Sequence, residues 1–292
     1  MDQAEQLRNV IKKRNQNNAG TARVVTITSG KGGVGKSNTA VNLAVQMRKA
    51  GKRVIIFDAY FGLANIEVMF GAIPKYNLSD LIYHGMSIRD IITPGPMDIG
   101  FISGGSGVIA LNNLYHDQIL YLIKALNKLN DMADFIIIDT GAGISDQVLE
   151  FVMASPEVLL VTTPEPSSLT DSYSLLKALY RNPNFVAGGT EIRVISNKVT
   201  TKEEGQAVYD KLNSVVEQFL HGHLDYLGMI PQDTALERSV RQQKIVSLTE
   251  PNSVSAKAFS VLAGNLMNGT QNQVQIRWGI SQLFSNFLSR KN

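Results

Sequence analysis

The sequence predicts an α/β fold: one doubly wound, mostly parallel sheet with helices packed on its faces. Three observations predict it. Short apolar runs alternate with longer helical stretches along the chain. The runs are continuous rather than alternating, as expected of strands covered on both faces. The first run leads through a glycine-rich segment directly into a helix. No internal repeat and no second core is visible, and 292 residues suit one large domain.

The elements follow in order. Residues 2–14 read as a short amphipathic helix, with Asp2 as its cap and Glu5 in the capping-box position. Ala4, Leu7, Val10 and Ile11 share one face, which needs a surface on the same domain or on a partner. Residues 15–20 are a polar linker. Strands are expected at 24–28, 53–57, 99–103, 135–138, 158–162, 192–196 and 226–229. Helices are expected at 36–50, 112–129, 168–180 and 201–220. A second polar linker occupies 268–274, and a last helix runs over about 275–290.

The net charge is +3, mildly basic. It fits an anionic small ligand or an acidic membrane surface, and calls for no specific nucleic acid. Lys12, Lys13 and Arg14 near the start, with Arg290 and Lys291 at the finish, read either as solvated ends or as surface anchors. The chain has no cysteine, which excludes disulfides, thiolate-held zinc and thiolate-held iron–sulfur clusters. Met1-Asp2-Gln3 opens a polar stretch rather than a secretory signal, and no run approaches the roughly 20 apolar residues of a membrane span. A cytoplasmic protein is expected.

The sharpest signal follows the first strand. Ser29-Gly30-Lys31-Gly32-Gly33-Val34-Gly35-Lys36-Ser37 matches G-x-x-x-x-G-K-[ST] at Gly30, Gly35, Lys36 and Ser37. Glycines at this spacing let the main chain curl so that successive N–H groups converge on phosphate oxygens. The helix that starts near Lys36 adds its positive end. Lys36 is placed to reach the β- and γ-phosphates, and Ser37 offers a hydroxyl to Mg²⁺. The expected ligands are ATP or ADP with Mg²⁺, bound by residues 30–38, from Gly30 to Asn38.

Gly-Lys-Gly-Gly-Val-Gly-Lys-Ser also resembles the deviant Walker A motif of the MinD/ParA family, which includes the nitrogenase iron protein. The resemblance extends over roughly residues 23–267. It implies that Lys31, otherwise a solvated loop lysine, reaches across an ATP-bound homodimer to the partner's phosphates. Phe135-Ile136-Ile137-Ile138-Asp139 resembles Walker B, with Asp139 in the Mg²⁺ shell. Thr140-Gly141-Ala142-Gly143 resembles the switch whose amides sense the γ-phosphate. The segment from Val54 to Asn65 resembles switch I, Asp-x-Asp followed by glycine and asparagine, with Asp58 near the metal.

The second aspartate of that pattern, which orients the attacking water, is replaced here by Tyr60. A phenol with a pKa of about 10 does not accept a proton at neutral pH as a carboxylate does. Retained ATP binding with much reduced turnover is therefore expected of an otherwise ATPase-type site. By the same resemblance Asn197 reads adenine, and Pro231, Gln232 and Asp233 form the loop beneath it. A simple strand-to-helix turn is the alternative reading of either stretch.

In the last helix Ile280, Leu283, Phe284, Phe287 and Leu288 share one face, with Trp278 near its start. Arg277, Arg290 and Lys291 flank the stripe. Such a helix suits an anionic membrane interface, or packs on its own domain. The resemblance favours the membrane, since MinD-type proteins end in a membrane-targeting helix. The expected division is 1–22 as partner-activating helix and linker, 23–268 as MinD-like P-loop ATPase domain, and 269–292 as linker and membrane-targeting helix. Within the family, Asp2-Gln3-Ala4-Glu5-Gln6-Leu7-Arg8 resembles the N-terminal motif of the flagellar-number branch. That resemblance implies contact of Gln3, Leu7 and Arg8 with an FlhF-type GTPase, contact with flagellar switch (C-ring) components, and a place on the inner face of the plasma membrane. Division-site MinD proteins and ParA-type DNA-segregation ATPases are the alternatives. The former begin almost at the first strand and the latter call for a more basic surface.

Overall fold

The computed structural model describes residues 22–60, 65–105, 121 and 125–269. Their strands are β1 (Arg23–Thr28), β2 (Val54–Ala59), β3 (Ile92–Pro94), β4 (Gly100–Ser103), β5 (Phe135–Thr140), β6 (Glu157–Thr162), β7 (Glu191–Val199) and β8 (Asp225–Pro231). They form one sheet in the order β3-β4-β2-β5-β1-β6-β7-β8. Every pairing is parallel except β3 against β4.

The described helices are α1 (Lys36–Lys49), α2 (Asn65–Phe70), α3 (Leu78–Tyr83), α4 (Asp146–Ala154), α5 (Pro166–Arg181), α6 (Lys202–Leu220), α7 (Thr234–Arg241), α8 (Val246–Thr249) and α9 (Val254–Asn268). Alternate strand residues feed different cores, because successive side chains leave opposite faces. Val25, Ile27, Ile56, Leu159 and Val161 pack with α1 and α9. On the other face Val158, Leu160 and Val194 pack with α4, α5 and α6, while Ile55, Phe57 and Ile136 pack with α3. Covering both faces excludes water from the strands, which is why they read as unbroken apolar runs.

The chain lays β2 and β4 on one side of β1 and β6 to β8 on the other. The strand order thus reverses beside β1. In such sheets the crevice beyond the carboxyl ends of the strands at the reversal is where ligands bind.

The main strands and helices lie where the sequence puts them, with longer strand ends. β2 continues through Asp58 to Ala59, β5 through Asp139 to Thr140, and β7 through Asn197 to Val199. The end strand β3 and helices α2, α3, α4, α7, α8 and α9 add to the expected set. Of the helix expected at 112–129, the described part is helical at Tyr121 and residues 125–127, and ends in a 3₁₀ turn at Lys128–Asp131. The helices expected at 2–14 and 275–290, carrying Gln3, Leu7 and Arg8 and Trp278, Ile280, Leu283, Phe284, Phe287 and Leu288, lie outside the described residues. No described helix is long and apolar enough to cross a membrane.

Candidate nucleotide site

The loop between β1 and α1 is shaped by its glycines in two different ways. Gly33 (φ 76°) and Gly35 (φ 103°) occupy the left-handed region that costs other residues strain. Gly30 is needed for close approach: a Cβ there would fall 2.1 Å from the carbonyl carbon of Asp171 in α5. Gly32 borders open space. No side chain caps α1 at Gly35 and no acidic residue lies in its first turn. The amides of that turn, with the loop amides, thus offer a donor set for an anion. Val34 anchors the loop, its side chain buried in the core.

Two carboxylates stand beside the loop. Asp58 and Asp139 are paired in register on β2 and β5, so they leave the same face of adjacent strands about 4.8 Å apart. Both are buried. Asp58 accepts hydrogen bonds from the amides of Tyr60 (3.1 Å) and Ile66 (3.4 Å). Burial, then the charge of Asp139, pushes its pKa up to about 7. Burial pushes that of Asp139 up to about 6, opposed by the Ser37 hydroxyl and the Lys36 charge. Neither oxygen of Asp139 has a well-formed hydrogen bond among the described residues. Buried carboxylate oxygens left without donors are costly unless a cation or its hydration shell meets them. This donor set suits a Mg²⁺ ion, which the Ser37 hydroxyl and the two aspartates would hold. Among the described residues no group of three or more His, Cys, Asp or Glu could hold a metal. The remaining positions would fall to phosphate and water, as Mg²⁺ prefers.

The two loop lysines differ. Lys36 is partly buried, and burial lowers its pKa against the support of Asp139. Lys31 reaches the N-terminal end of α5, where its ammonium donates to Oε2 of the N-cap residue Glu165 (2.9 Å) and to Ser167 Oγ (2.7 Å). Thr162, Ser168 and Ser172 form a buried hydroxyl chain at 3.1 Å spacing that ties the end of β6 to the start of α5. This chain fixes the place of the Lys31 acceptors.

The Gly141–Gly143 segment closes over the same edge. The Gly143 amide (φ 89°) donates to the Ser29 carbonyl at 3.0 Å. The Tyr60 ring lies against Gly141, so that a Cβ at Gly141 would be 3.1 Å from Tyr60 Cδ2. Tyr60 therefore stands beside Gly141, the glycine that the resemblance makes part of a switch.

On the far side Asn197 donates to the Val34 carbonyl (2.7 Å) and accepts from the Lys198 amide (2.8 Å). Pro231 ends β8, and the Gln232 amide donates to the Val199 carbonyl. The Asp233 carboxylate accepts from the Ala235 amide and from the amide and hydroxyl of Ser255. It caps α7 and ties it to α9, so its carboxylate is already engaged. Glu165, Ser167, Asp171 and Lys198 join the site without having been singled out in the sequence. For Glu165 a signal existed: Glu-Pro shortly after a buried strand marks a helix start.

A glycine-cradled phosphate loop between strand and helix, with paired buried aspartates at the reversal of a parallel sheet, defines a P-loop nucleotide-binding protein. A family model described as ParA, "NUBPL iron-transfer P-loop NTPase", matches residues 20–267. The antiactivator FleN of Pseudomonas aeruginosa is 39% identical over 82% of this chain and 85% of its own. The flagellum site-determining protein YlxH of Helicobacter pylori is 34% identical over 91% of this chain and 90% of its own. The crystal structure of the Pyrococcus furiosus cell division ATPase MinD superposes with a TM-score of 0.66 at 25% identity, covering 85% of this chain and all of that one. The chain belongs to the MinD/ParA family of P-loop ATPases. Without cysteine it lacks the thiolates by which an iron–sulfur cargo is usually held.

Proposed function

We propose that this chain is an ATP-dependent dimerising switch of the flagellar number and placement system. The single observation that carries the switch is the position of Lys31: it sits inside the phosphate loop, yet its ammonium is held outward on α5 rather than in its own loop. An ammonium so placed can exchange its Glu165 and Ser167 partners for the phosphates of a second copy. ATP and Mg²⁺ bind through residues 30–38, Asp58 and Asp139, and two chains pair face to face around the nucleotide. Bound Mg²⁺ neutralises phosphate charge and polarises the γ-phosphoryl group. The Gly143 amide leaves the Ser29 carbonyl and turns to the γ-phosphate. Asn197 and the residues from Pro231 to Asp233 border the base. The likeness to FleN and YlxH supports the flagellar role.

The terminal segments give the switch its outputs. Pairing presents two copies of the 275–290 helix, and avidity makes attachment to an anionic membrane depend on ATP. Residues 2–14 stimulate an FlhF-type GTPase, and the surface engages C-ring components. Tyr60 in place of aspartate slows hydrolysis and prolongs the paired state.

Vesicle flotation tests this reading. With vesicles containing anionic lipid, the chain should float in Mg·ATP and stay in solution in Mg·ADP. Removing residues 2–14 should abolish GTPase stimulation and leave flotation unchanged. Flotation indifferent to nucleotide, or stimulation that survives the deletion, contradicts it.

A further inference from the structure

Two consecutive carbonyls of the phosphate loop are held from outside by consecutive residues of β7. Asn197 Nδ2 donates to Val34 O at 2.7 Å, and Lys198 Nζ donates to Gly33 O at 3.0 Å. Lys198 is at an irregular point of the sheet. The pairing of β7 with β8 joins Asn197 to Ile230 and Val199 to Pro231, and shifts register at the residue between. That residue has φ 57°, in the left-handed region, and its amide is tied to Asn197 Oδ1. An extra residue in a strand re-aims its side chain, and strained backbone of this kind gathers at functional sites.

We propose that Lys198 is a positioning residue of the phosphate loop, aiming a main-chain N–H at a bound nucleotide phosphate. The reason is the planar trans peptide. The C=O of one residue and the N–H of the next point in opposite directions. Holding the Gly33 carbonyl outward on Lys198 turns the Val34 N–H inward. Holding the Val34 carbonyl on Asn197 does the same for the Gly35 N–H. The bulge supplies the geometry that a regular strand lacks, since it lifts the Lys198 side chain out of the sheet toward the loop. Preorganising amides before the anion arrives removes an ordering cost from binding. Lys198 also lies close enough to Glu165 for its charge to act there. It therefore adds a third positive charge around the loop, beside Lys31 and Lys36. The ligand class is a nucleoside di- or triphosphate, so the proposal rests on the nucleotide reading above.

The test uses the full chain and Mg·ADP, followed by titration and by nucleotide dissociation kinetics, with thermal unfolding of the ligand-free protein as a parallel readout. Lys198→Met should weaken Mg·ADP binding roughly fivefold, mainly through faster dissociation, with the ligand-free unfolding midpoint unchanged. Lys198→Arg should restore affinity to within about twofold of the parent, because it too donates to a carbonyl. Lys198→Gly should bind as weakly as the methionine variant, since it keeps the left-handed backbone and loses only the ammonium. Parent-like affinity in the methionine or glycine variant overturns the proposal. So does equal weakening in methionine and arginine variants accompanied by a lowered unfolding midpoint. A parent chain that fails to bind Mg·ADP, or a Lys36→Ala chain that binds it equally well, overturns the nucleotide reading itself.

Discussion

Asp58 and Asp139 face each other in a buried crevice, and both are harder to ionise than an exposed aspartate. The consequence for stability has a definite sign. Between the ordinary aspartate range and about 7, the folded chain holds protons on this pair that the unfolded chain has released. Stability of the ligand-free protein therefore falls as pH rises through that window. A cation between the carboxylates offsets the loss. The unfolding midpoint of the ligand-free chain should drop by a few degrees between about pH 5 and about pH 8. Asp58→Asn should flatten the drop, and Mg·ADP should also reduce it. At the neighbouring position, the Tyr60 ring lies against Gly141 and no carboxylate stands in its place. Tyr60→Asp should raise ATP turnover at least about tenfold with little change in ATP affinity. Equal steady-state rates in the two chains would show that the base lies elsewhere. The residues of the loop were legible in the sequence because phosphate chemistry demands fixed spacing, and the two aspartates only through the resemblance of their segments to family motifs. The acceptors of Lys31 were not, because Glu165 is 134 positions away and only the fold brings it close.

Elements, rather than single side chains, set the shape of the loop. The loop is clamped between α5 on one side and the end of β7 on the other. Gly30 has no room for a side chain because the α5 main chain at Asp171 and Ser172 lies against it. Gly30→Ala should cost about 1–3 kcal/mol in chemical denaturation and lose nucleotide binding, since backbone cannot give way as a side-chain tip can. Gly32→Ala, which meets nothing, should leave stability nearly unchanged. The long elements were readable because burial on both faces gives strands a continuous apolar text. The short ones were not. β3 has three residues and includes Pro94, and α8 has four. The bulge at Lys198 leaves no mark in an apolar pattern, since one extra polar residue at a strand end looks like the start of a turn.

For the whole molecule the decisive feature is the reversal of strand order beside β1. It opens a crevice at the carboxyl edge of the sheet and brings loop, aspartates and α5 together there. The same edge carries the outward Lys31, so in the proposed switch the nucleotide site is also the surface offered to a second copy. Fold class and nucleotide chemistry could be read from the sequence through the continuous apolar runs and the glycine-rich loop, whereas the reversal itself could not. The functional branch could not be read from packing, and rests on the likeness to FleN and YlxH. The most direct measurement is the solution mass of the full chain by light scattering in saturating Mg·ATP and in Mg·ADP. Twice the chain mass in ATP, a single chain in ADP, and a single chain in both for Lys31→Ala are the expected results. A single chain in every condition, or an ATP-bound dimer that persists in Lys31→Ala, would contradict the switch.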